Sequence, residues 1–364
     1  MLVQAQIGPA HDRLDKAVSH LRSLFTAAGH TPVDPPYLYL AETLLDLYGE
    51  DLRARAFLFQ DPERGNELGL RPDFTVPVAL AHAAMGWDRA AAYGYCGAVF
   101  RRQPQGMGRP VEYVQAGIER FGDDDPVAAD ALVFDLLTRG LRDLGVPEPK
   151  GTIGDLSIPF ALLDALDMPD RRRADLKRHF WRPERFGALL RRAIAPPEAR
   201  QGLRELLGET EIVGRRSPAE VLQRISALEE EQDWRAMPPD QGRLIDDVLG
   251  IKGPADRALT AMQETARAAE IDIAPVIRRF EQRLEALAVM GHQPETLHFD
   301  ASFGRNLEYY DGFVFELRAP DGGSHPPLAG GGRYDTLTTR MGAPGPVPAI
   351  GGIIRPQAVL DVSS

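Results

Sequence analysis

The sequence predicts an α+β fold, in which an antiparallel sheet is flanked by helices and interrupted by a mostly helical insertion. Two segments with strand-like alternation surround a short polar loop between residues 91 and 121. Residues 170–290 instead show helical spacing without strand alternation, and strand signals return at Leu297 and at Phe313–Arg318. We therefore predict a discontinuous core, residues 1–169 and 291–364, with the helical insertion at residues 170–290.

The first helix is predicted from apolar residues that recur with helical spacing. These residues are Leu14, Val18, Leu21 and Phe25. Gly29 follows them, and a glycine at this place is typical of a helix end. The next segment, residues 31–39, contains three prolines, so we expect it to be extended and to lie at a sheet edge or an interface.

The two strands between residues 91 and 121 present a candidate binding face. The first strand is expected to end near Phe100, and the second places Gln115, Gly117 and Glu119 on one side. Because Gly117 has no side chain, we expect room for a ligand between the amide and the carboxylate.

Helix and turn signals complete the outline of the core. Acidic residues and a proline at Asp123–Pro126 predict the start of a helix, which Gly145 is expected to end. Residues 151–158 are expected to form another strand. Gly330–Gly332, taken alone, is more typical of a tight turn than of a binding site.

The composition limits the possible classes of function. The chain has 364 residues and a net charge of −11, so its field repels phosphate backbones and disfavours broad nucleic-acid binding. The basic run at Arg171–Arg173, Lys177 and Arg178 is more typical of a solvated helix face. The one cysteine, Cys96, and the lack of a long apolar stretch predict a soluble cytoplasmic protein without a membrane segment. The histidines are scattered, so we predict no metal site and no cofactor.

Several segments, in their order along the chain, resemble the histidine-binding core of the histidyl-tRNA synthetases, a class II aminoacyl-tRNA synthetase family. They are Arg71-Pro72-Asp73-Phe74-Thr75, Phe100-Arg101, Gln115–Glu119, Arg305–Tyr310 and Gly330–Asp335. The resemblance implies a class II synthetase-like fold and a pocket for free histidine. It also implies that the segment around Pro36 forms much of a homodimer interface.

The chemistry of these side chains suits a zwitterionic amino acid, because buried charges require partners of opposite sign. Asp73, Gln115 and Glu119 can accept hydrogen bonds from an α-ammonium group, and Arg101 or Arg305 can face a carboxylate. The resemblance places Thr75 with Asp73 at amino-acid-binding positions and Arg305 at the position of the catalytic arginine. It places the tyrosines near the imidazole. The implied histidine-binding residues are Asp73, Thr75, Arg101, Gln115, Glu119, Arg305, Tyr309, Tyr310 and Tyr334.

Departures from the synthetase pattern concern the ATP-handling segments. After Phe-Arg the second synthetase motif continues with a glutamate and then a further arginine, and Gln103 and Pro104 stand at those positions here. Pro348–Pro356 resembles a shortened third motif, in which Pro356 lacks the N–H that continues a helix. No anticodon-binding domain is expected after Ser364. These features weaken the case for adenylate formation, since that reaction needs groups that counter the triphosphate charge.

A synthetase-like chain of this kind resembles the regulatory subunits of ATP phosphoribosyltransferase. The resemblance implies a non-catalytic subunit for the first step of histidine biosynthesis, which binds histidine and no tRNA. It further implies a homodimer within a hetero-oligomer that contains a short catalytic subunit. Two alternatives stay open. A minimal histidyl-tRNA synthetase or stand-alone histidine-activating enzyme is favoured by Arg101, Arg305 and Arg355, whereas an interaction protein would bind neither histidine nor the transferase.

Overall fold

The computed structural model describes residues 6–48, 50–103, 110–195, 217–230, 236–304, 309–321 and 325–363. The strands are β1 (Thr31–Pro32), β2 (Leu38–Leu40), β3 (Leu58–Gln60), β4 (Glu67–Leu70), β5 (Ala91–Phe100), β6 (Glu112–Phe121), β7 (Lys150–Asp155), β8 (Lys252–Pro254), β9 (His298–Asp300), β10 (Phe313–Arg318), β11 (Ala329–Arg333) and β12 (Ala349–Ile354). The α-helices are Pro9–Ala27, Ala41–Leu47, Glu50–Arg55, Thr75–Ala83, Pro126–Asp143, Ser157–Ala165, Asp170–Arg178, Pro183–Ile194, Pro218–Glu230, Pro239–Leu249, Ala255–Ala268, Ala274–Val289, Asp335–Arg340 and Pro356–Ser363. A short 3-10 helix covers Pro294–Thr296.

The strands of the described residues form two sheets. The large sheet has nine strands in the order β1-β5-β6-β12-β11-β10-β7-β9-β8, and the small sheet has the order β2-β4-β3. Neighbouring strands of the large sheet run antiparallel, except that β1 with β5 and β7 with β9 are parallel. The predicted α+β architecture with an antiparallel sheet flanked by helices is therefore confirmed.

The N-terminal helix packs its apolar side against the large sheet, as its spacing predicts. Leu21 and Phe25 are fully buried in the main core, while Leu14 and Val18 are only partly buried. Gly29 adopts a φ of 85°, a left-handed conformation that glycine reaches without a steric penalty. The helix therefore ends here, and the chain turns into β1 at the edge of the large sheet.

The central helix, Pro126–Asp143, covers the middle of the large sheet. It begins as the acidic run predicts, because the Asp125 carboxylate accepts hydrogen bonds from the backbone N–H groups of Val127 and Ala128, both at 3.0 Å. It ends before Gly145, which has a φ of 95°. The apolar side of β6, with Ala116 and Ile118, belongs to the same core as this helix.

The described part of residues 170–290 is mainly helical but also contributes to the large sheet. Strand β8 lies in this region and pairs with β9 at the sheet edge. The helix Ala274–Val289 packs against the central helix. Its buried apolar residues are Ile277, Phe280, Leu284 and Leu287. The assignment of residues 170–290 as a distinct unit stays a prediction.

A buried ion network joins the helix Ala274–Val289 to the central helix. Arg283 lies between the carboxylates of Asp130, at 2.8 Å, and Asp155, at 2.6 Å. Asp130 also accepts from Arg333 at 2.6 Å, and Arg333 bonds Asp335 at 2.9 Å. Because each buried charge has an opposite partner, the network avoids the large cost of an unpaired interior ion.

The tight turn that the glycine run Gly330–Gly332 suggests when taken alone is not formed, because these residues form strand β11 between β10 and β12. Glycines are needed there for close packing. A Cβ atom on Gly331 would lie 2.2 Å from the carbonyl oxygen of Gly351. Strand β12 is a further element that sequence patterns do not indicate, since glycine lacks the side-chain signal by which strands are recognised. Strand β2 of the small sheet overlaps the segment predicted to be extended, whereas β3 and β4 were not predicted.

Candidate ligand site

The candidate site lies on the face of the large sheet that the central helix leaves uncovered. This face carries its own buried cluster, which includes Phe74, Tyr95, Tyr309 and Tyr334. Glu119 points from β6 into this cluster, since its carboxylate bonds the hydroxyl groups of Tyr95 and Tyr334. The loop before the helix Thr75–Ala83 closes one side and supplies Asp73 and Thr75.

Glu119 is the centre of the site and is fully buried. One carboxylate oxygen accepts from the Thr75 hydroxyl at 2.9 Å and from the Tyr95 hydroxyl at 3.0 Å. The other oxygen accepts from the Tyr334 hydroxyl. Burial raises the pKa of Glu119 to about 7, although the three hydroxyl donors favour the ionised form. The carboxyl group is therefore poised to change charge near neutral pH.

Two glycines make space for these buried side chains. Gly351 lies opposite Glu119 in the β6–β12 pair, and a Cβ atom there would lie 1.6 Å from a carboxylate oxygen of Glu119. Gly117 lies opposite Tyr95 in the β5–β6 pair. A Cβ atom on Gly117 would lie 2.6 Å from the Tyr95 hydroxyl oxygen. The space that we expected Gly117 to leave for a ligand is thus filled by Tyr95, because the tyrosine leans across its glycine partner.

Asp73 and Arg101 supply a second pair of charges. One oxygen of Asp73 accepts from the Tyr48 hydroxyl at 2.6 Å, and the other has no hydrogen-bond partner among the described residues. Burial raises the pKa of Asp73, and the positive charge of Arg101 opposes that rise. Arg101 donates from Nη2 to the carbonyl of Pro72 at 3.0 Å, while its buried Nε–H finds no acceptor among the described residues.

Gln115 adds an acceptor on the same face of β6. It is almost completely buried, and its Oε1 atom has no partner among the described residues. It lies opposite Gly97 in the β5–β6 pair. Buried side-chain oxygens are normally satisfied, so each unpartnered one requires an explanation.

The three tyrosines named in the sequence lie together. Tyr309 contacts Tyr310 edge to face, with ring centroids 4.8 Å apart, and contacts Tyr334 at 6.1 Å. Tyr309 and Tyr334 are buried, whereas Tyr310 is partly buried. Burial and the nearby Glu119 charge raise the pKa of Tyr334, so its hydroxyl stays protonated and serves as a donor. The structure therefore brings together Asp73, Thr75, Arg101, Gln115, Glu119, Tyr309, Tyr310 and Tyr334.

Arg305, Pro104 and the tip of the loop after Phe100 lie outside the described residues. Gln103 accepts a hydrogen bond from Arg55 at 2.9 Å, so this amide takes a local structural role. Pro356 begins the last helix, where its missing N–H is not needed. The Arg355 guanidinium donates to the carbonyl of Pro327 at 2.6 Å.

Two site residues were missed by the sequence patterns. Tyr48 donates to Asp73, and Tyr95 donates to Glu119. Tyr95 lies two residues from both Tyr93 and Gly97 in β5, so the pairing of β5 with β6 could have placed Tyr95 near Gly117. Tyr48 follows a short helix and carries no local signal of its position.

The described ranges show neither a metal-binding cluster nor a membrane-spanning helix. Among these residues no group of histidine, cysteine, aspartate and glutamate side chains is arranged to hold a metal ion. None of the helices within them combines the length and the apolar character that crossing a membrane requires.

Comparison with known proteins identifies relatives over almost the full length. Residues 7–233 and 219–359 match the family model described as histidyl-tRNA synthetase. A protein from Brucella anthropi is 35% identical over 342 residues, which cover 88% of this chain and 89% of the relative. A protein from Mesorhizobium japonicum is 34% identical over 367 residues, which cover 93% of this chain and 95% of the relative. Both are named ATP phosphoribosyltransferase regulatory subunit.

Solved structures show the same fold. A Bacillus halodurans C protein, described as an ATP phosphoribosyltransferase regulatory subunit/histidyl-tRNA synthetase, superposes with a TM-score of 0.73 at 22% identity, over 100% of this chain and 82% of its own. The histidyl-tRNA synthetase of Nostoc sp. PCC 7120 superposes with a TM-score of 0.66 at 16% sequence identity. The match covers 98% of this chain and 73% of the synthetase. The predicted synthetase-like fold is confirmed, and the chain belongs to the histidyl-tRNA synthetase-like family of ATP phosphoribosyltransferase regulatory subunits, which are named as regulatory and not as catalytic proteins.

Proposed function

We propose that the candidate site binds free histidine and that this regulatory subunit couples its occupancy to the activity of a short-form catalytic subunit. One observation carries the proposal. Three buried polar atoms of the site have no partner among the described residues: Asp73 Oδ2, Gln115 Oε1 and Arg101 Nε. Leaving such groups unsatisfied costs about 1–3 kcal/mol each, so a complementary ligand is expected.

The kinds of atom match an α-amino acid. Asp73 and Gln115 offer acceptors to an α-ammonium group, which carries N–H donors only. Arg101 offers a donor to an α-carboxylate. A ligand with both charges would neutralise the site without leaving an ion unpaired, whereas a simple anion or cation would satisfy only one side.

The side chain of histidine suits the other end of the site. A carboxylate has about four lone-pair positions, and hydroxyl groups occupy three at Glu119, so one N–H donor can still be accommodated. The rings of Tyr309 and Tyr310 offer edge and face contacts to an imidazole.

A second copy of the chain is part of this proposal. The small sheet and the segment before it expose Tyr37, Leu38, Leu40 and Phe59, each between 43% and 49%. Pro36, next to them, is also exposed. An apolar surface of this kind supports homodimer formation through the Pro36 segment. The dimer would then assemble with the catalytic subunit.

Regulation requires that histidine and the catalytic subunit change each other's affinity. Couplings of this kind are typically about 1–3 kcal/mol and act equally in both directions. We therefore expect histidine to alter the activity of the reconstituted complex. We also expect the catalytic subunit to shift the dissociation constant of histidine by the same factor by which histidine shifts the affinity of the two subunits for each other.

Calorimetric titration with histidine tests the binding. The variant Asp73→Asn keeps the shape of the side chain but removes its charge, and we expect about tenfold weaker binding or more, because hydrogen bonds to charged groups contribute about 1.5–3 kcal/mol. Asp15→Asn makes the same change at an exposed helix position and serves as the control. The proposal fails if the wild type takes up no histidine, or if both variants bind as it does.

The enzyme alternative has a direct assay. A histidine-activating enzyme would catalyse histidine-dependent exchange of pyrophosphate into ATP, and we expect the pure protein to show none. We also expect no tRNA binding, since the net charge of −11 opposes association with a polyanion. Robust exchange would overturn the regulatory assignment.

A further inference from the structure

Four planar side chains form a continuous stack that leads from the protein surface to Glu119. The Arg71 guanidinium lies 4.2 Å from the ring centroid of Tyr37 on one face and 4.1 Å from that of Phe74 on the other. The Phe74 ring stacks on Tyr95 with a centroid distance of 4.2 Å and an interplanar angle of 12°. The Tyr95 hydroxyl then donates to Glu119 at 3.0 Å.

The middle of this stack is tightly fixed. Arg71 is fully buried, and its Nε donates to the carbonyl of Ala98 on β5 at 2.9 Å. Its Nη1 donates to the carbonyl of Pro35. Gly97 is the reason that the group fits, because a Cβ atom there would lie 2.8 Å from Arg71 Nη2 and 3.0 Å from Phe74 Cζ.

The outer end of the stack is accessible in a single copy of the chain and lies on the surface proposed above for the homodimer. Tyr37 is 47% exposed, so one face of its ring covers Arg71 while much of the side chain remains at the surface. The Tyr37 ring also contacts Phe100 edge to face at 6.2 Å. A change at this surface residue can therefore reach the site through only three intervening side chains.

We infer that Tyr37 and Arg71 are positioning residues of the ligand site. They hold Phe74 against Tyr95, and so keep the Tyr95 hydroxyl directed at Glu119. Neither Tyr37 nor Arg71 needs to touch the ligand for this role. The inference rests on the proposed function where ligand affinity is concerned, but the geometry of Tyr95 and Glu119 can be tested without a ligand.

Calorimetry on the full chain tests the effect on affinity. Removal of the ring in Tyr37→Ala should weaken histidine binding by up to about fivefold, because the effect on affinity is limited by the full strength of one cation–π contact at an accessible site. Tyr37→Phe keeps the ring over Arg71 and removes only the hydroxyl, which also interacts with Arg71, so it should bind more like the wild type than Tyr37→Ala does. Leu38→Ala is the control for damage to the proposed homodimer surface, because Leu38 is also 47% exposed in the same segment and belongs to that surface but takes no part in the stack.

The pattern across these variants separates positioning from general damage. If Tyr37→Ala only destabilises the fold, its unfolding midpoint falls but its affinity for histidine is not selectively reduced. If Tyr37 positions the site, the affinity falls in Tyr37→Ala and is restored in Tyr37→Phe. Equal weakening in Tyr37→Ala and Leu38→Ala, or wild-type affinity in Tyr37→Ala, overturns the inference.

A second measurement does not depend on histidine. The carboxyl resonance of Glu119 in protein labelled with ¹³C-glutamate reports its titration, and Tyr95→Phe gives the reference for full loss of the hydroxyl. Since a hydrogen bond to the ionised form lowers a pKa, both Tyr95→Phe and Tyr37→Ala should raise the pKa of Glu119, the latter by less. If the wild type binds no histidine, the proposed function fails while this titration still decides the inference. An unchanged titration in Tyr37→Ala refutes it.

Discussion

Replacing Gly351 by alanine should drive the Glu119 carboxylate out of its place. The new Cβ atom would lie 1.6 Å from one carboxylate oxygen and 2.3 Å from the carboxyl carbon. Neither side can yield easily, because β12 is held between β6 and β11 and the carboxylate is held by hydroxyl groups. Overpacking costs about 1–3 kcal/mol, and each hydrogen bond lost to a charged acceptor adds about 1.5–3 kcal/mol. We expect the free energy of unfolding to fall by about 3 kcal/mol or more, and histidine binding to be lost.

Urea unfolding of a double-mutant cycle tests the cause of this loss. In a Glu119→Ala background the atoms that collide with the new methyl group are gone, so Gly351→Ala should cost much less there. Gly345→Ala is the control, because a Cβ atom at Gly345 meets nothing within 4 Å. If the costs of Gly351→Ala and Glu119→Ala add within about 0.5 kcal/mol, the two positions are independent and the reasoning is refuted.

Two further predictions concern charge. Burial raises the pKa of Glu119 from 4.5 to about 7, so the folded protein holds this proton more tightly than the unfolded chain. The contribution of Glu119 to the free energy of unfolding is therefore full below pH 4.5 and should decline by about 3 kcal/mol as the pH rises to about 7. This decline is measured as the difference in unfolding free energy between the wild type and Glu119→Gln across this pH range. A difference that does not change with pH contradicts the prediction. Arg283→Met removes the cation between Asp130 and Asp155 and should cost about 3–5 kcal/mol in urea unfolding. Arg279→Met, at an exposed position of the same helix, should change the free energy of unfolding by no more than about 0.5 kcal/mol. Equal losses of stability in the two variants would show that the ion network does not stabilise the fold.

Elements with local signals could be predicted from the sequence. The N-terminal helix carries apolar spacing and a terminal glycine, and the central helix begins with a capping aspartate and a proline. Strands β5 and β6 alternate in side-chain direction; β5 ends just before the polar loop and β6 begins just after it. In each case the information lies within a few residues of the element, so the sequence alone is sufficient.

Elements that depend on distant partners could not be predicted in this way. Strand β11 is rich in glycine because Gly331 must approach the backbone of Gly351, which is a tertiary requirement. Tyr48 reaches Asp73 only after the fold brings them together. The resemblance to a known family supplied Asp73, Glu119 and Tyr334 as site residues, but the hydrogen-bonding partners of the two carboxylates emerge only from the packing.

The two carboxylates differ in a way that assigns them different tasks. Glu119 already accepts three hydroxyl groups, so it mainly holds Thr75, Tyr95 and Tyr334 around the site. Asp73 accepts one hydroxyl group, from Tyr48, and its Oδ2 atom has no hydrogen-bond partner among the described residues, so it is the oxygen available to the proposed ammonium group. A ligand can shift an equilibrium only through a contact that differs between two states.

Tyr334 is well placed to provide such a contact in a regulatory protein. Its hydroxyl belongs to the site, and its chain neighbour Arg333 belongs to the ion network with Asp130. Asp130 in turn holds Arg283 of the helix Ala274–Val289. A ligand that competes with Glu119 for the Tyr334 hydroxyl would therefore act one residue away from the network that joins this helix to the core, whereas a ligand held by Asp73 alone would not.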